Sequence, residues 1–142
     1  MTSGAGDGLV DTNVFIHAHT TDAVSEECRS FLRALEAGTV RARIEPLILH
    51  ELSYALPHYV KQMTRQQVGE YLLMVLSWDG ITGDKLLMAD VVERWRSTPR
   101  LSFADAYLAA LAAERGCEVY TKNVRELRSQ GASVPEPLPD GS

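Results

Sequence analysis

No stretch of eighteen consecutive apolar residues occurs in this chain, so no transmembrane helix is expected. Residues 1–7 are small and polar where a signal peptide would need a basic and then an apolar segment, which points to a cytoplasmic location away from membranes. Cysteine is scarce: Cys28 and Cys117 stand far apart without Cys-x-x-Cys spacing. That excludes a zinc knuckle and a disulfide framework and leaves two core thiols as the expectation. Positive charge is also in deficit, with 14 Lys and Arg against 19 Asp and Glu, a net charge of −5. Such a balance speaks against holding nucleic acid by an overall basic surface, unless several carboxylates share a divalent cation that reverses the local field. The chain has no Gly-x-x-x-x-Gly-Lys loop, which removes nucleoside triphosphatases of that type. The glycine-rich segment 4–8 precedes the strand that a dinucleotide loop should follow, so that reading is rejected.

What is present is the balance of one folded domain: 142 residues, 45% hydrophobic and 23% charged. The expected organisation is a flexible N-terminus over 1–7, one domain over 8–130, and an extended or disordered tail over 131–142 with Pro135, Pro137 and Pro139. Basic residues gather late, at Arg94, Arg96, Arg100, Lys122, Arg125 and Arg128, either to meet a phosphate backbone or as a solvated helix face.

Residues 8–14 form a short apolar run ending in polar residues, as a buried parallel strand does at its carboxyl end. Val24, Cys28, Phe31, Leu32 and Leu35 recur at helical spacing, with Asp22 as the candidate N-cap and Gly38 closing the end. Val40, Ala42 and Ile44 alternate with arginines as a strand does, and Pro46 suits the first turn of a helix that carries Glu51 and ends near Pro57. Thr64 to Gln67 fits a capping box for the next helix, which Asp79 and Gly80 terminate. A brief strand at Ile81, a helix over 84–96, a helix from Ser102 to Gly116 and a last strand over 117–121 complete the pattern. Strands alternating with helices give an α/β fold, a short and mainly parallel sheet between helical layers, with ligands outside the carboxyl ends of the strands.

Three carboxylates stand out. Asp11 and Asn13 lie at the expected strand end, on one side if the extended conformation persists; the competing reading makes one of them a turn cap. Glu51 shares a helical face with Leu47, Ile48, Leu52 and Ala55, where a carboxylate must be protonated, paired or metal-bound. Asp105 is the one charge in an otherwise apolar helical segment, and Ser102-x-x-Asp105 is equally a capping box. Together they form an oxygen-only donor set of the kind that suits magnesium or manganese, whose chemistry fits attack on a phosphodiester. His50-Glu51 lacks the second His of a zinc protease, because Tyr54 stands in its place, and His17 and His19 have no matching third ligand.

Val10-Asp11-Thr12-Asn13, Glu51-Leu52, the segment from Phe103 through Asp105 to Ala110, and Tyr120-Thr121-Lys122-Asn123 resemble, in that order, the PIN domain. The chain is similar above all to the short VapC-like toxins of bacterial toxin–antitoxin pairs. The resemblance implies a three-layer α/β/α fold and a magnesium- or manganese-dependent endoribonuclease. It also implies an RNA substrate, a VapB-like antitoxin as partner, and a homodimer. By the same resemblance Asp11, Glu51 and Asp105 hold the metal and its attacking water, Asn13 supports them, and Thr121 and Asn123 order the first motif. Many PIN domains carry Asp where this chain has Asn123, and Glu126, one helical turn on, is the candidate replacement. Lys122, Arg125 and Arg128 are the candidate RNA contacts. The alternatives are a haloacid-dehalogenase-like phosphatase, whose Asp-x-Asp-x-Thr pattern fails at Asn13 and Phe15, and an inactive PIN-like binding module.

Overall fold

The computed structural model describes residues 6–142, and the expectation for the first five residues lies outside the described residues. Three two-residue strands, β1 (Gly8–Leu9), β2 (Ala42–Arg43) and β3 (Ile81–Thr82), pair in parallel in the order β1-β2-β3. Gly8 is in register with Ala42 and Ala42 with Ile81. With seven helices among the described residues, the architecture is α/β, as the alternating pattern predicts. The chain divides into two compact units, one ending at Lys85 and the other covering Leu86–Ser142.

In the first unit the sheet carries α1 (Thr12–Ala18), α2 (Ser25–Ala37), α3 (Pro46–Tyr59) and α4 (Arg65–Leu76). β1 stops earlier than the apolar run predicts. After Val10 donates its N–H to Arg43 O at 3.1 Å, the chain turns helical at Thr12 and puts Phe15 and Ile16 into the core. Asn13 therefore sits on a helix, and the two-residue strand spacing that would align it with Asp11 does not apply. α1 packs against α2 and α3, and α3 against α4.

Asp22 does not cap α2, whose N-cap position is Val24. It ties the preceding corner instead, through His17 Nδ1 at 2.8 Å, the Thr20 hydroxyl at 2.8 Å and the Val24 N–H at 2.9 Å. These bonds, the His17 contact foremost, hold its carboxyl well below the usual carboxylate range. α2 ends on Gly38 in the left-handed conformation, as expected.

α3 begins with Pro46 in its first turn but continues through Pro57 to Tyr59. Pro57 has no N–H to give Ser53 O, yet the Val60 N–H still closes the helix on Leu56 O at 2.7 Å. Both halves of the Thr64–Gln67 capping box are made at the start of α4. On α4, burial pushes the Tyr71 phenol up to about 12.

The second unit contains α5 (Lys85–Ser97) from its second residue, α6 (Phe103–Arg115) and α7 (Val124–Ser129). Ser102 caps α6 and Gly116 ends it at φ 65°. Residues 117–121 form no strand, because Val119 is the one buried residue in the segment and its backbone bond runs to Ser133 O at 2.9 Å. That bond draws the start of the expected tail inward. Val134 packs with Ala109, Ala112, Val119 and Leu127, and the Arg128 guanidinium donates to Val134 O at 2.8 Å. Cys28 is half-buried and Cys117 exposed, so neither is a core thiol. No helix among the described residues is long and apolar enough to cross a membrane.

Candidate active site

Because the strands are parallel, the carboxyl ends of β1 and β2 lie on one edge of the sheet, the edge where α/β folds collect ligands. β1 delivers Asp11 there, and β2 leads through Glu45 into α3 and Glu51. An open cleft of about 500 Å³ is lined at this edge by Asp11, Thr12, Asn13, Ile16, Glu51, Tyr54, Ala55, His58 and Tyr59.

Asp11 occupies the N-cap position of α1 with extended dihedrals, yet its side chain accepts no capping hydrogen bond. A residue type favoured at N-caps for its side-chain acceptor is thus placed at one without serving it. Asp11 is exposed and lines the cleft.

Glu51 is half-buried, and one of its oxygens accepts a hydrogen bond from the buried Thr12 hydroxyl at 2.7 Å. Of the fates open to a carboxylate on an apolar helical face, hydrogen bonding is the one observed. It fixes the side chain by one oxygen and leaves the other for a ligand. Thr12 was legible only as part of the Asp11 motif; its neighbour across the cleft depends on how α1 meets α3. Thr12→Val keeps the shape and removes that donor. It is expected to lower stability by about 1 kcal/mol in urea titrations, and an unchanged midpoint would show that the bond contributes nothing.

In the second unit Asp105 is 8% exposed. The Ser102 hydroxyl accepts from the Asp105 N–H at 3.0 Å, which is the half of the capping box that uses the backbone. The carboxylate itself accepts from the Asn123 amide, Nδ2 to Oδ2, at 3.1 Å. Asn123 is presented for this by the turn before α7, where its N–H donates to the Thr121 hydroxyl at 2.9 Å. Thr121 and Asn123 thus serve the motif of Asp105. Asn123 meets that carboxylate as a donor, where an Asp would add a second negative charge. Glu126, half-buried on α7, lies three residues beyond.

The late basic residues divide into two groups. Arg94 pairs with Asp90 at 2.9 Å, Arg96 with Glu93 at 3.0 Å, and Arg128 is drawn to the tail by Val134 O and Glu136. Lys122, Arg125 and Arg100 are exposed. Among the described residues no group of three or more His, Cys, Asp or Glu side chains is gathered as a metal site. Asp11, Glu51 and the Asn13 amide carbonyl bring hard oxygen donors to the cleft, whose chemistry fits magnesium or manganese, and His58 adds an imidazole nitrogen to the same lining.

No curated protein matches the chain significantly. The family model of the PIN domain matches residues 8–129, which contain Asp11, Glu51, Asp105 and Asn123, and the chain belongs to the PIN domain family, whose members are in general nucleases.

Proposed function

We propose that this chain is a magnesium- or manganese-dependent endoribonuclease that hydrolyses RNA phosphodiester bonds, acting as the toxin of a toxin–antitoxin pair in the cytoplasm. The observation that carries the reading is an N-cap Asp11 that does no capping, in the same cleft as a Glu51 held by Thr12. Asp11 and Glu51 would hold the metal, with Asp105 as the third carboxylate by family resemblance. Asn13 supports them from the cleft wall, and Asn123 orients Asp105. When bound, the cation would lower the pKa of a water and offset the negative charge that builds on the phosphoryl and leaving oxygens during in-line attack on phosphorus. Thr12 holds one Glu51 oxygen, which leaves the second to help hold the metal and its attacking water. Lys122 and Arg125 are the proposed RNA contacts, with Arg128 less available because the tail engages it. Glu126 is the proposed fourth acidic group.

By resemblance to VapC-like toxins, the proposed partner is a VapB-like antitoxin that lays an apolar helix on the domain and directs an Arg toward Asp11 and Asp105. The proposed assembly is a homodimer. Purification with and without the product of the adjacent gene, followed by an RNA cleavage assay in magnesium and in chelator, tests the reading. Cleavage in magnesium that the partner suppresses is expected; no metal-dependent cleavage by the free chain would overturn it. Membership of the PIN family leaves the phosphatase alternative without support, since that reading rested on the strand ending in Asp11.

A second check needs no substrate. Asn ranks with Asp at N-caps, so Asp11→Asn keeps the start of α1 while relieving repulsion from Glu51 in a cleft that holds both. In chelator the variant is expected to melt about 3 °C above wild type, equivalent to roughly 1 kcal/mol. Magnesium should raise the wild-type melting temperature by mass action and leave the variant nearly unmoved. A destabilised variant with an undiminished magnesium shift would remove Asp11 from the site.

A further inference from the structure

Among the described residues, the lining of the cleft that holds Asp11 and Glu51 includes no Lys or Arg. A polyanionic strand entering it meets two carboxylates and no fixed cation, so its affinity there must come from contacts other than phosphate pairing. Helix α3 supplies them. Glu51, Tyr54, Ala55 and His58 recur at the i, i+3, i+4, i+7 spacing of one α3 face, and all four line the cleft. By helix geometry Tyr54 lies about 5 Å and His58 about 10 Å along the axis from Glu51, and Tyr59 ends the helix on the same cleft.

Phe15, Phe103, Trp78 and Trp95 are all buried, whereas Tyr54 is 61% and Tyr59 55% exposed. Each tyrosine makes one ring contact among the described residues. Tyr54 makes an edge-to-face contact with His50 at 5.8 Å between centroids, and Tyr59 one with His58 at 4.8 Å, each with ring planes at 89°. A ring with a neighbour on one side and more than half of its surface open keeps area on which a base can stack.

We propose that Tyr54 and Tyr59 form a platform on which unpaired bases beside the scissile phosphate stack, so that the cleft takes single-stranded RNA by its bases; this rests on the reading of the cleft as the nuclease site. Stacking on aromatic rings tolerates any base, because every base has a π-face. It rejects a duplex, whose bases are already stacked on one another.

The test measures binding of the full chain, in chelator to prevent cleavage, to a fluorescein-labelled single-stranded RNA of mixed sequence. The same strand annealed into a duplex, and the same strand with abasic positions, are the comparison probes. Replacing both tyrosines by Ala should weaken single-strand binding at least about tenfold, by a factor that hardly changes with salt, since stacking releases no counterions. The Tyr54→Phe, Tyr59→Phe double variant, which keeps the rings, should bind as wild type does, and the abasic strand should bind wild type as weakly as the intact strand binds the Ala variant. Circular dichroism on each variant confirms that α3 is retained. If wild type and the Ala variant bind the single strand equally, the platform is overturned and the nuclease reading stands; this is also the result if the tyrosines face a protein partner. If wild type binds no RNA in chelator, the platform is overturned, while the nuclease reading is decided separately by cleavage in magnesium.

Discussion

Glu51→Gln and Asp105→Asn, made singly, are each expected to lower metal-dependent RNA cleavage at least about 100-fold while leaving the fold intact; removing one electrostatic group from an active site typically has an effect of that size. The geometry explains why the fold should survive. The amide oxygen of the Gln side chain still accepts from the Thr12 hydroxyl, as Glu51 does now at 2.7 Å. The amide oxygen at position 105 still accepts from Asn123, and the Ser102 cap uses the backbone N–H of that residue, which the substitution does not touch. What both variants lose is charge, which a hard cation needs and the packing does not. Cleavage rates in magnesium, with circular dichroism to confirm folding, measure this. Activity within about threefold of wild type in both variants corresponds to well under 1 kcal/mol of lost transition-state binding, and would sink the assignment.

A comparably large effect on stability is expected far from the chemistry, at Gly80. This residue joins α4 to β3, donating its N–H to Leu35 O at 2.8 Å while its own carbonyl accepts from the Ala42 N–H at 2.8 Å. One glycine thus fastens the end of α2 and the middle strand of the sheet. A Cβ added there would run into the carbonyl oxygens of Val40 and Leu35 and reach 3.0 Å from Leu35 Cα. All three are backbone atoms, which cannot swing aside as a side chain can. Gly80→Ala is therefore expected to cost about 3 kcal/mol, the upper part of the range for overpacking, and to lower the melting temperature by roughly 10 °C. Gly116→Ala is the natural control. Its φ is 65° but no atom lies within 4 Å of the added Cβ, so only the left-handed backbone opposes the change, at about 1 kcal/mol. Equal melting shifts for the two variants would show that the close approach at Gly80 has no energetic consequence.

The sequence by itself determined the elements whose signals are local. The capping box at Thr64, the Ser102 cap, the glycines that end α2 and α6, and Pro46 in the first turn of α3 all lie where the residues predict. Each depends on dihedral preference or on a hydrogen bond within a few residues, so no distant part of the chain can alter it. Glu51 and Asp105 could be singled out for a related reason, since a carboxylate among apolar neighbours is costly to bury, and Asp11 by its place at the end of the first apolar run.

Tertiary structure decided the rest. Residues 12–18 are an apolar and β-branched stretch that suits a strand or a buried helix equally, and the choice fell to the helix that buries Thr12, Phe15 and Ile16 together. That choice turned Asp11 from a strand residue into an N-cap and brought the Thr12 hydroxyl to Glu51, 39 positions away. Residues 117–121 look like a strand by composition, but a strand exists only where a partner pairs with it, and here one bond to Ser133 takes its place. The amide of Asn123 likewise meets Asp105 across 18 positions, through a turn that no periodicity announces. The local signals of caps and terminal glycines held at these positions, though not at Asp22, whose carboxylate bonds to His17 and Thr20 instead of capping α2. Strand extent, hydrogen bonds between distant side chains and the lining of a cleft depend instead on which surfaces the folded chain brings into contact.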